Sequence, residues 1–233
     1  MRQIVLDTET TGIEPSQGHR IIEIGCVEMV GRKLTGRTYH QYINPDREVE
    51  AEAISVHGIT NEYLADKPRF TEIVDEFIEF IRGAELIIHN APFDVGFINH
   101  EFNLAGPRFG TLDQICTVFD TLTFARQKHP GAKNSLDALC KRYGVDNSNR
   151  ELHGALLDSE ILADVYLFLT GGQTDLSLGH GADGKVAVSD IQRVAPGQYD
   201  LAVVRASAEE LAEHEAMLDR IDKKSGGSVW RAG

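Results

Sequence analysis

Short apolar runs separated by polar turns predict three strands at the start of the chain. Residues 3–8, 20–30 and 34–43 each have the length and the apolar content of a strand. Gly31, Arg32 and Lys33 lie between the second and third runs, and so short a connection favours antiparallel neighbours. The pattern therefore predicts that the domain begins with a meander of strands.

Helical spacing replaces these runs further along the chain. In residues 71–82, apolar side chains at positions 73, 74, 77, 78 and 81 predict one buried face, with Thr71 as the N-cap and Gly83 ending the helix. Further elements follow: a short buried strand at residues 86–88, and helices at 93–104, 135–142 and 154–169. Strands followed by alternating helices and strands predict an α/β domain with a mixed sheet flanked by helices.

The composition changes near residue 170, and this change predicts three parts. Residues 1–172 form the main domain. Residues 173–193 contain several glycines and no aromatic residue, which is typical of a flexible linker. Residues 194–233 form a small C-terminal module that is too short to bury a core of its own and so needs a partner.

Two elements are predicted within this module. Residues 201–204 have the apolar content of a strand. Ser207 and Glu210 form a capping box at the start of a helix over residues 208–222.

The charge balance limits the ways in which the chain could bind a polyanion. With 36 acidic and 23 basic residues among 233, the net charge is −13, which argues against a protein that coats nucleic acid. It does not exclude one that holds a strand end through metal ions. Cys26, Cys116 and Cys140 are scattered, which indicates a reducing compartment, and no stretch is apolar enough for a signal peptide or a membrane span. We expect a soluble, cytoplasmic protein without membrane contact.

Asp7 and Glu9 follow directly on the first apolar run. Residues i and i+2 of a strand share one face, so both carboxylates point the same way at the end of the strand. A cation between them would relieve their repulsion. A solvated loop is the more frequent explanation of an isolated D-x-E sequence, so this pair alone does not define a site.

Asp94 and Asp158 fall on apolar faces of predicted helices. Asp94 shares its face with Phe97, Ile98 and Phe102, and Asp158 shares its face with three further apolar residues, Ile161, Leu162 and Val165. A carboxylate that faces a core is costly unless it is paired or binds a metal. The alternative is a carboxylate that interacts with the helix dipole, and it fits Asp94 better than Asp158.

Four carboxylates from separate segments suit hard divalent cations such as Mg²⁺ or Mn²⁺. Two such ions can assist a phosphoryl displacement. His153 could converge on Asp158 if the helix begins after His153, which Gly154 permits, and a histidine beside a metal pair is a candidate to deprotonate water. An ordinary exposed histidine is the alternative.

Three motifs now carry a resemblance. VLDTETTG, HNAPFDVGF and HGALLD, at residues 5–12, 89–97 and 153–158, resemble in order and spacing the motifs of the DEDD exonuclease superfamily, in its His-containing branch. RIIEIG, VHGI, PGAKNSLDALCKRYGVDNSNR, LTGGQTDLSL and SGGSVWRA are similar to the proofreading exonuclease subunits of bacterial replicative DNA polymerases. Together these segments span essentially the whole chain.

The resemblance implies a ribonuclease H-like fold, two divalent metal ions and a role for each matching residue. Asp7, Glu9 and Asp158 would bind metal directly, and Asp94 would hold a metal through water. His153 would be the general base. Glu52 and His57 would contact the terminal nucleotide, together with the metal-binding carboxylates Asp7, Glu9 and Asp158, although Ala51 stands before Glu52 where the family pattern leads us to expect proline.

The resemblance also implies partners. QTDLSL at residues 173–178 is similar to a peptide that docks in a sliding clamp, with Gln173, Leu176 and Leu178 as anchors. The alternative is that this segment is simply part of the linker. Residues 194–233 would bind the polymerase catalytic subunit, and a small accessory subunit could sit on the nuclease domain.

The sequence thus predicts a 3′→5′ DNA exonuclease that proofreads replication errors, acts on single-stranded or frayed 3′ ends and releases 5′-nucleotides. Two alternatives remain at this point. One is an RNA-trimming exonuclease of the same superfamily, which would need only the nuclease domain. The other is a mainly structural subunit that stabilises the polymerase complex.

Overall fold

The computed structural model describes residues 1–148, 152–171 and 205–231. These fall into two units, Met1–Asp175 and Leu176–Gly233. The predicted linker, its clamp peptide and the predicted strand at 201–204 lie outside the described residues. Among the helices in the described ranges, none is long and apolar enough to cross a membrane.

Five strands form one mixed sheet in the first unit. The strands are β1 (Arg2–Thr10), β2 (Ile21–Val30), β3 (Lys33–Tyr42), β4 (Glu85–Ile88) and β5 (Thr117–Asp120). Their order is β3-β2-β1-β4-β5, with β1, β2 and β3 antiparallel and β1, β4 and β5 parallel. The predicted meander and the mixed sheet are confirmed, whereas β5 was not expected.

Helices cover both faces of this sheet. Their bounds are α1 (Ala51–His57), α2 (Asn61–Leu64), α3 (Phe70–Ile81), α4 (Ala91–Ala105), α5 (Thr121–Lys128), α6 (Leu136–Tyr143) and α7 (Ala155–Leu169), with short 3₁₀ turns at Pro15–Gln17, Pro107–Phe109 and Leu112–Gln114. The apolar patterns predicted α3, α4, α6 and α7 to within two residues at each end. The patterns gave no prediction for α1, α2 and α5.

The start of α3 corrects one expectation. The predicted N-cap, Thr71, lies inside the helix, and the N-cap is Arg69. The backbone N–H of Arg69 donates to Glu72 Oε2 at 2.7 Å, so the side chain three positions on closes the first turn. Phe70 therefore joins the buried face of α3 as its first helical residue.

The alternation of β1 assigns its side chains to two cores. Ile4 and Leu6 pack with residues of α3 and α4 on one face, among them Phe77 and Phe102. Val5 packs on the opposite face with residues of α7. Both faces of the middle of β1 are therefore buried among apolar side chains.

The described part of the second unit is a helix with a folded-back end. Helix α8 (Ala208–Ser225) begins at the predicted capping box, where Ser207 N–H donates to Glu210 Oε2 at 2.7 Å and Glu210 N–H donates to Ser207 Oγ at 3.2 Å. A 3₁₀ turn (Val229–Arg231) follows. The Arg231 guanidinium pairs with Asp219 at 2.8 Å and with Asp222 at 2.7 Å, which holds this turn against α8.

Candidate active site

Strand β1 delivers two carboxylates to one face of the sheet. Asp7 and Glu9 have the same parity as Val5, whose side chain meets α7, and both line one cleft of about 660 Å³. Thr8 points to the other face. The predicted common orientation of Asp7 and Glu9 thus places both carboxylates on the side where α7 begins.

Helix α7 approaches the sheet unusually closely, and this approach places Asp158. A Cβ built on Gly25 would lie 2.2 Å from Ala155 C and from Leu156 N, so only glycine leaves room for the helix. Ser159 Oγ donates to Gly25 O at 2.9 Å, and Ala155 N–H donates to the buried Glu23 Oε2 at 3.2 Å. Glu23 thereby satisfies an N–H group in the first turn of α7.

Asp158 and Asp94 are both 3% exposed, as their helical phase predicted. Thr8 Oγ1 donates to Asp94 Oδ1 at 2.7 Å across the end of the sheet. Burial raises the pKa of Asp94 to about 7, and the hydrogen bond from Thr8 opposes part of this rise. Because burial disfavours the charged form of this side chain, a nearby cation would stabilise that form.

A second carboxylate fixes the start of α4, which carries Asp94. Asp120 Oδ1 accepts from the backbone N–H groups of Asn90, at 3.2 Å, and Leu122, at 2.9 Å. It therefore joins the beginnings of α4 and α5. Asn90 itself has φ +67°, the left-handed conformation that non-glycine residues adopt rarely. The turn from β4 into α4 is thus held in place by the side chain of Asp120.

His153 lies beside Asp158 because α7 begins only at Ala155. Gly154 is the N-cap, with extended backbone angles, so His153 is outside the helix, as predicted. Its Nδ1 is 3.5 Å from Asp158 Oδ2, and its backbone N–H donates to Val56 O at 3.1 Å. The ring is 45% exposed, so one side faces the cleft and solvent.

Three of these side chains form a possible metal-binding group. One ligand atom each from Glu9, His153 and Asp158 lies within 4.8 Å of the other two. The donors are carboxylate oxygens and an imidazole nitrogen, and the oxygens are the ligands that Mg²⁺ and Mn²⁺ prefer. The donor set and the buried Asp94 therefore fit divalent cations.

Glu52 and His57 lie around a neighbouring pocket that shares Glu9 and Phe93 with the main cleft. Glu52 is exposed and His57 is buried. His57 Nδ1 accepts from Ile59 N–H at 3.0 Å, and the ring also interacts with the backbone of Thr10. Burial lowers the pKa of His57, so the ring stays neutral at pH 7.

The structure thus brings together the five residues Asp7, Glu9, Asp94, His153 and Asp158 around one cleft and sets Glu52 and His57 beside it. Gln173, Leu176 and Leu178 lie outside the described residues. Sequence reasoning missed Thr8, Glu23, Gly25 and Asp120, which position the site. A glutamate and a glycine inside the apolar run of β2 were the available signals.

A mixed sheet with carboxylates and a histidine around one cleft is typical of a class of nuclease, and the comparisons agree. The exonuclease family model matches residues 4–166. The structure of Exonuclease X in complex with 5′ overhanging duplex DNA is 26% identical with a TM-score of 0.57, covering 74% of this chain and 94% of that one. The chain is a hydrolase with the ribonuclease H-like exonuclease fold, and exonucleases of the DEDD type normally use divalent metal ions.

Similarity over nearly the full length narrows the class further. The DNA polymerase III subunit epsilon of Escherichia coli (strain K12) is 52% identical over 237 residues, 99% of this chain and 98% of that protein. The subunit epsilon of Pasteurella multocida (strain Pm70) is 55% identical over 236 residues, 98% and 93% of the two chains. The chain belongs to the family of DNA polymerase III epsilon subunits, the 3′→5′ exonucleases of that polymerase.

Proposed function

We propose that this exonuclease removes misincorporated nucleotides, one at a time, from the 3′ end of DNA and does so as a proofreading subunit of a replicative polymerase in the cytoplasm. The observation that carries the proposal is the group of Glu9, His153 and Asp158, whose ligand atoms lie within 4.8 Å of one another in a cleft that also contains Asp7 and Asp94. An unpaired end costs less to pull from a duplex than a paired one, which favours mismatches.

The carboxylates would hold two divalent ions, Mg²⁺ or Mn²⁺. Asp7, Glu9 and Asp158 would be direct ligands. Asp94, which is as deeply buried as Asp158, would hold an ion through water. Bound there, the ions would stabilise negative charge that develops on the phosphate oxygens during hydrolysis. The ions also supply the positive charge that an acidic chain lacks at its site.

His153 would accept the proton of the attacking water. Three features support this role: its position outside α7, its half-exposed ring and the 3.5 Å separation between Nδ1 and Asp158 Oδ2. The bond between Val56 O and the His153 backbone fixes the approach of the ring. The water oxygen bonds to phosphorus, the bond to the 3′ oxygen of the preceding nucleotide breaks, and a 5′-nucleotide leaves.

Glu52 and His57 would contact the terminal nucleotide in the pocket beside the cleft. Both residues line this pocket, and Glu9 and Phe93 line both the pocket and the main cleft, so a nucleotide at the proposed metal site would lie next to them. The hydrogen bond from Ile59 N–H to Nδ1 holds the His57 ring in place.

Partners follow from the relatives, which are named as subunits of DNA polymerase III. We place the exonuclease domain at residues 1–172, a linker at 173–193 and a polymerase-binding module at 194–233. The peptide at 173–178 would bind a sliding clamp through Gln173, Leu176 and Leu178, and an accessory subunit would bind the nuclease domain. Such tethering raises the effective concentration of the nuclease at the primer end.

The test uses the full chain and primers labelled at the 5′ end, with matched or mismatched 3′ termini, in Mg²⁺. We expect shortening by single nucleotides, faster from the mismatch, and faster again when the polymerase catalytic subunit is added. The double variant Asp7→Ala/Glu9→Ala should lose hydrolysis and still co-purify with the catalytic subunit. An RNA strand of the same sequence is the comparison substrate. Clear preference for RNA, or activity that survives the double substitution, would contradict the proposal.

A further inference from the structure

One segment of this acidic chain is basic. Residues 121–142 carry five basic side chains and one acidic one, a net charge of +4 in a chain whose net charge is −13. The basic residues are Arg126, Lys128, Lys133, Lys141 and Arg142, and the acidic residue is Asp137. Charge segregation of this kind is typical of a surface that meets a polyanion.

The basic segment forms one wall of the catalytic cleft. It comprises α5, the loop that follows it and α6. The residues of this segment that line the same cleft as the carboxylates of β1, α4 and α7 are Leu122, Arg126, Ala132, Asn134, Ser135, Leu136 and Asp137. The cleft therefore has an acidic part, where the proposed metal site lies, and a wall that carries positive charge.

Two basic residues of this wall stabilise the fold. Lys128 Nζ donates to Leu169 O at 2.6 Å at the end of α7. Arg142 donates to Asn134 Oδ1 at 3.0 Å and to Lys133 O at 2.7 Å. These bonds fix the loop between α5 and α6, so its position relative to the cleft is set by the protein itself.

Arg126 and Lys133 have a different role. Both side chains are exposed, and in the described part of the chain neither is joined to a carboxylate by an ion pair. Arg126 lines the cleft, and Lys133 lies between the lining residues Ala132 and Asn134. The acidic residue of the wall, Asp137, also lines the cleft, and it accepts a hydrogen bond from Asn147 Nδ2 at 3.1 Å. The charges of Arg126 and Lys133 are thus available to a ligand.

We propose that Arg126 and Lys133 bind backbone phosphates of the strand being degraded, upstream of the bond that is cut. This inference rests on the proposed function, since it needs a strand whose 3′ end lies among the carboxylates. Those carboxylates repel every phosphate that is not neutralised by metal. The upstream phosphates therefore require cationic side chains, and the basic wall of the same cleft supplies them.

The test compares two substrates that differ only in upstream phosphates. A single-stranded oligodeoxynucleotide has them, whereas an aryl ester of thymidine 5′-monophosphate has the same type of scissile phosphodiester and none. We expect Arg126→Ala and Lys133→Ala each to raise KM for the oligonucleotide about three- to tenfold with little change in kcat. Both variants should hydrolyse the aryl ester as the parent protein does. Lys33→Ala, which removes an exposed charge at the β2–β3 turn, is the matched control.

Salt dependence gives a second readout that a merely structural role would not change. Each phosphate contact on a single strand contributes roughly 0.7 to the slope of log affinity against log salt. The double variant Arg126→Ala/Lys133→Ala should therefore show a slope smaller by about 1.4, and Lys33→Ala should show the parent slope. Variants that match the Lys33→Ala control on the oligonucleotide would overturn the inference, as would equal losses on both substrates. If the parent protein hydrolyses neither substrate, the proposed function fails instead.

Discussion

Replacing Gly25 with alanine should strongly reduce the activity while the protein remains folded. It pairs with Asp7 in the sheet, and helix α7 begins directly over it. A Cβ at Gly25 would lie 2.2 Å from Ala155 C and Leu156 N and 2.4 Å from Ala155 O. All three are backbone atoms, so no side-chain rotation can relieve the contact. The change Gly25→Ala must displace the start of the helix that carries Asp158.

The distances give the size of the effect. Ordinary van der Waals contact begins at 3.4 Å, so the first turn of α7 would have to retreat by 1.2 Å from its present 2.2 Å. Overpacking of this kind costs about 1–3 kcal/mol, which for a chain of this size lowers Tm by roughly 2–12 °C. Displacement of catalytic groups by about 1 Å costs on the order of 100-fold in rate. We expect kcat/KM to fall about 100-fold while the protein remains folded at 25 °C.

The assay measures hydrolysis of an oligodeoxynucleotide at saturating Mg²⁺, beside a thermal unfolding curve for the same preparation. Gly96→Ala is the matched control, because Gly96 lies in α4 and a Cβ there would meet nothing within 4 Å. That variant should keep full activity and gain about 0.5–1 kcal/mol of stability, as alanine replaces glycine inside a helix. Near-parent activity of Gly25→Ala would refute the argument that this close approach positions Asp158.

Two further predictions concern Asp94, whose pKa burial raises from 3.8 to about 7. Between these two pH values the folded state holds a proton that the unfolded state releases. Without metal, the free energy of unfolding therefore falls by up to about 4 kcal/mol as pH rises from about 4 to about 7. Asp94→Asn should therefore gain in Tm over the parent as pH rises through this window in EDTA, and an equal difference at pH 4 and pH 8 would contradict this. Thr8→Val removes the hydrogen bond that opposes the rise. It should increase the Mg²⁺ concentration needed for half-maximal activity, more at pH 7 than at pH 8.5, and unchanged Mg²⁺ titrations would count against it.

Periodicity predicted those parts of the fold that have a long buried face. Strand β2 is a nearly continuous run of buried residues, and nine of the fifteen residues of helix α7 are buried, so their apolar patterns are clear. Strand β5 has four residues and helix α2 has four, and both are largely exposed. Over so few residues, apolar alternation and helical spacing look alike, and tertiary pairing alone decides the structure.

The same reasoning predicted the acidic groups of the site and missed the residues that hold them. Asp158 was recognisable because a carboxylate on an apolar helix face requires a partner. Glu23 and Gly25 act on α7 across a sequence separation of more than 130 residues. One sequence cannot reveal such a pairing by spacing. The signal in the sequence was a charged residue and a glycine in the interior of an apolar strand. Such residues indicate a buried hydrogen bond or a close approach, but they do not identify the partner segment.

The pKa of Asp94 also bears on how any pH–rate profile should be interpreted. In the proposed site a proton and a cation would compete for this carboxylate, so metal affinity should fall as pH drops through about 7. Metal concentration tests this cause. A fall in rate at low pH that added Mg²⁺ restores reports Asp94 and its neighbours, whereas one that persists at saturating Mg²⁺ has another cause.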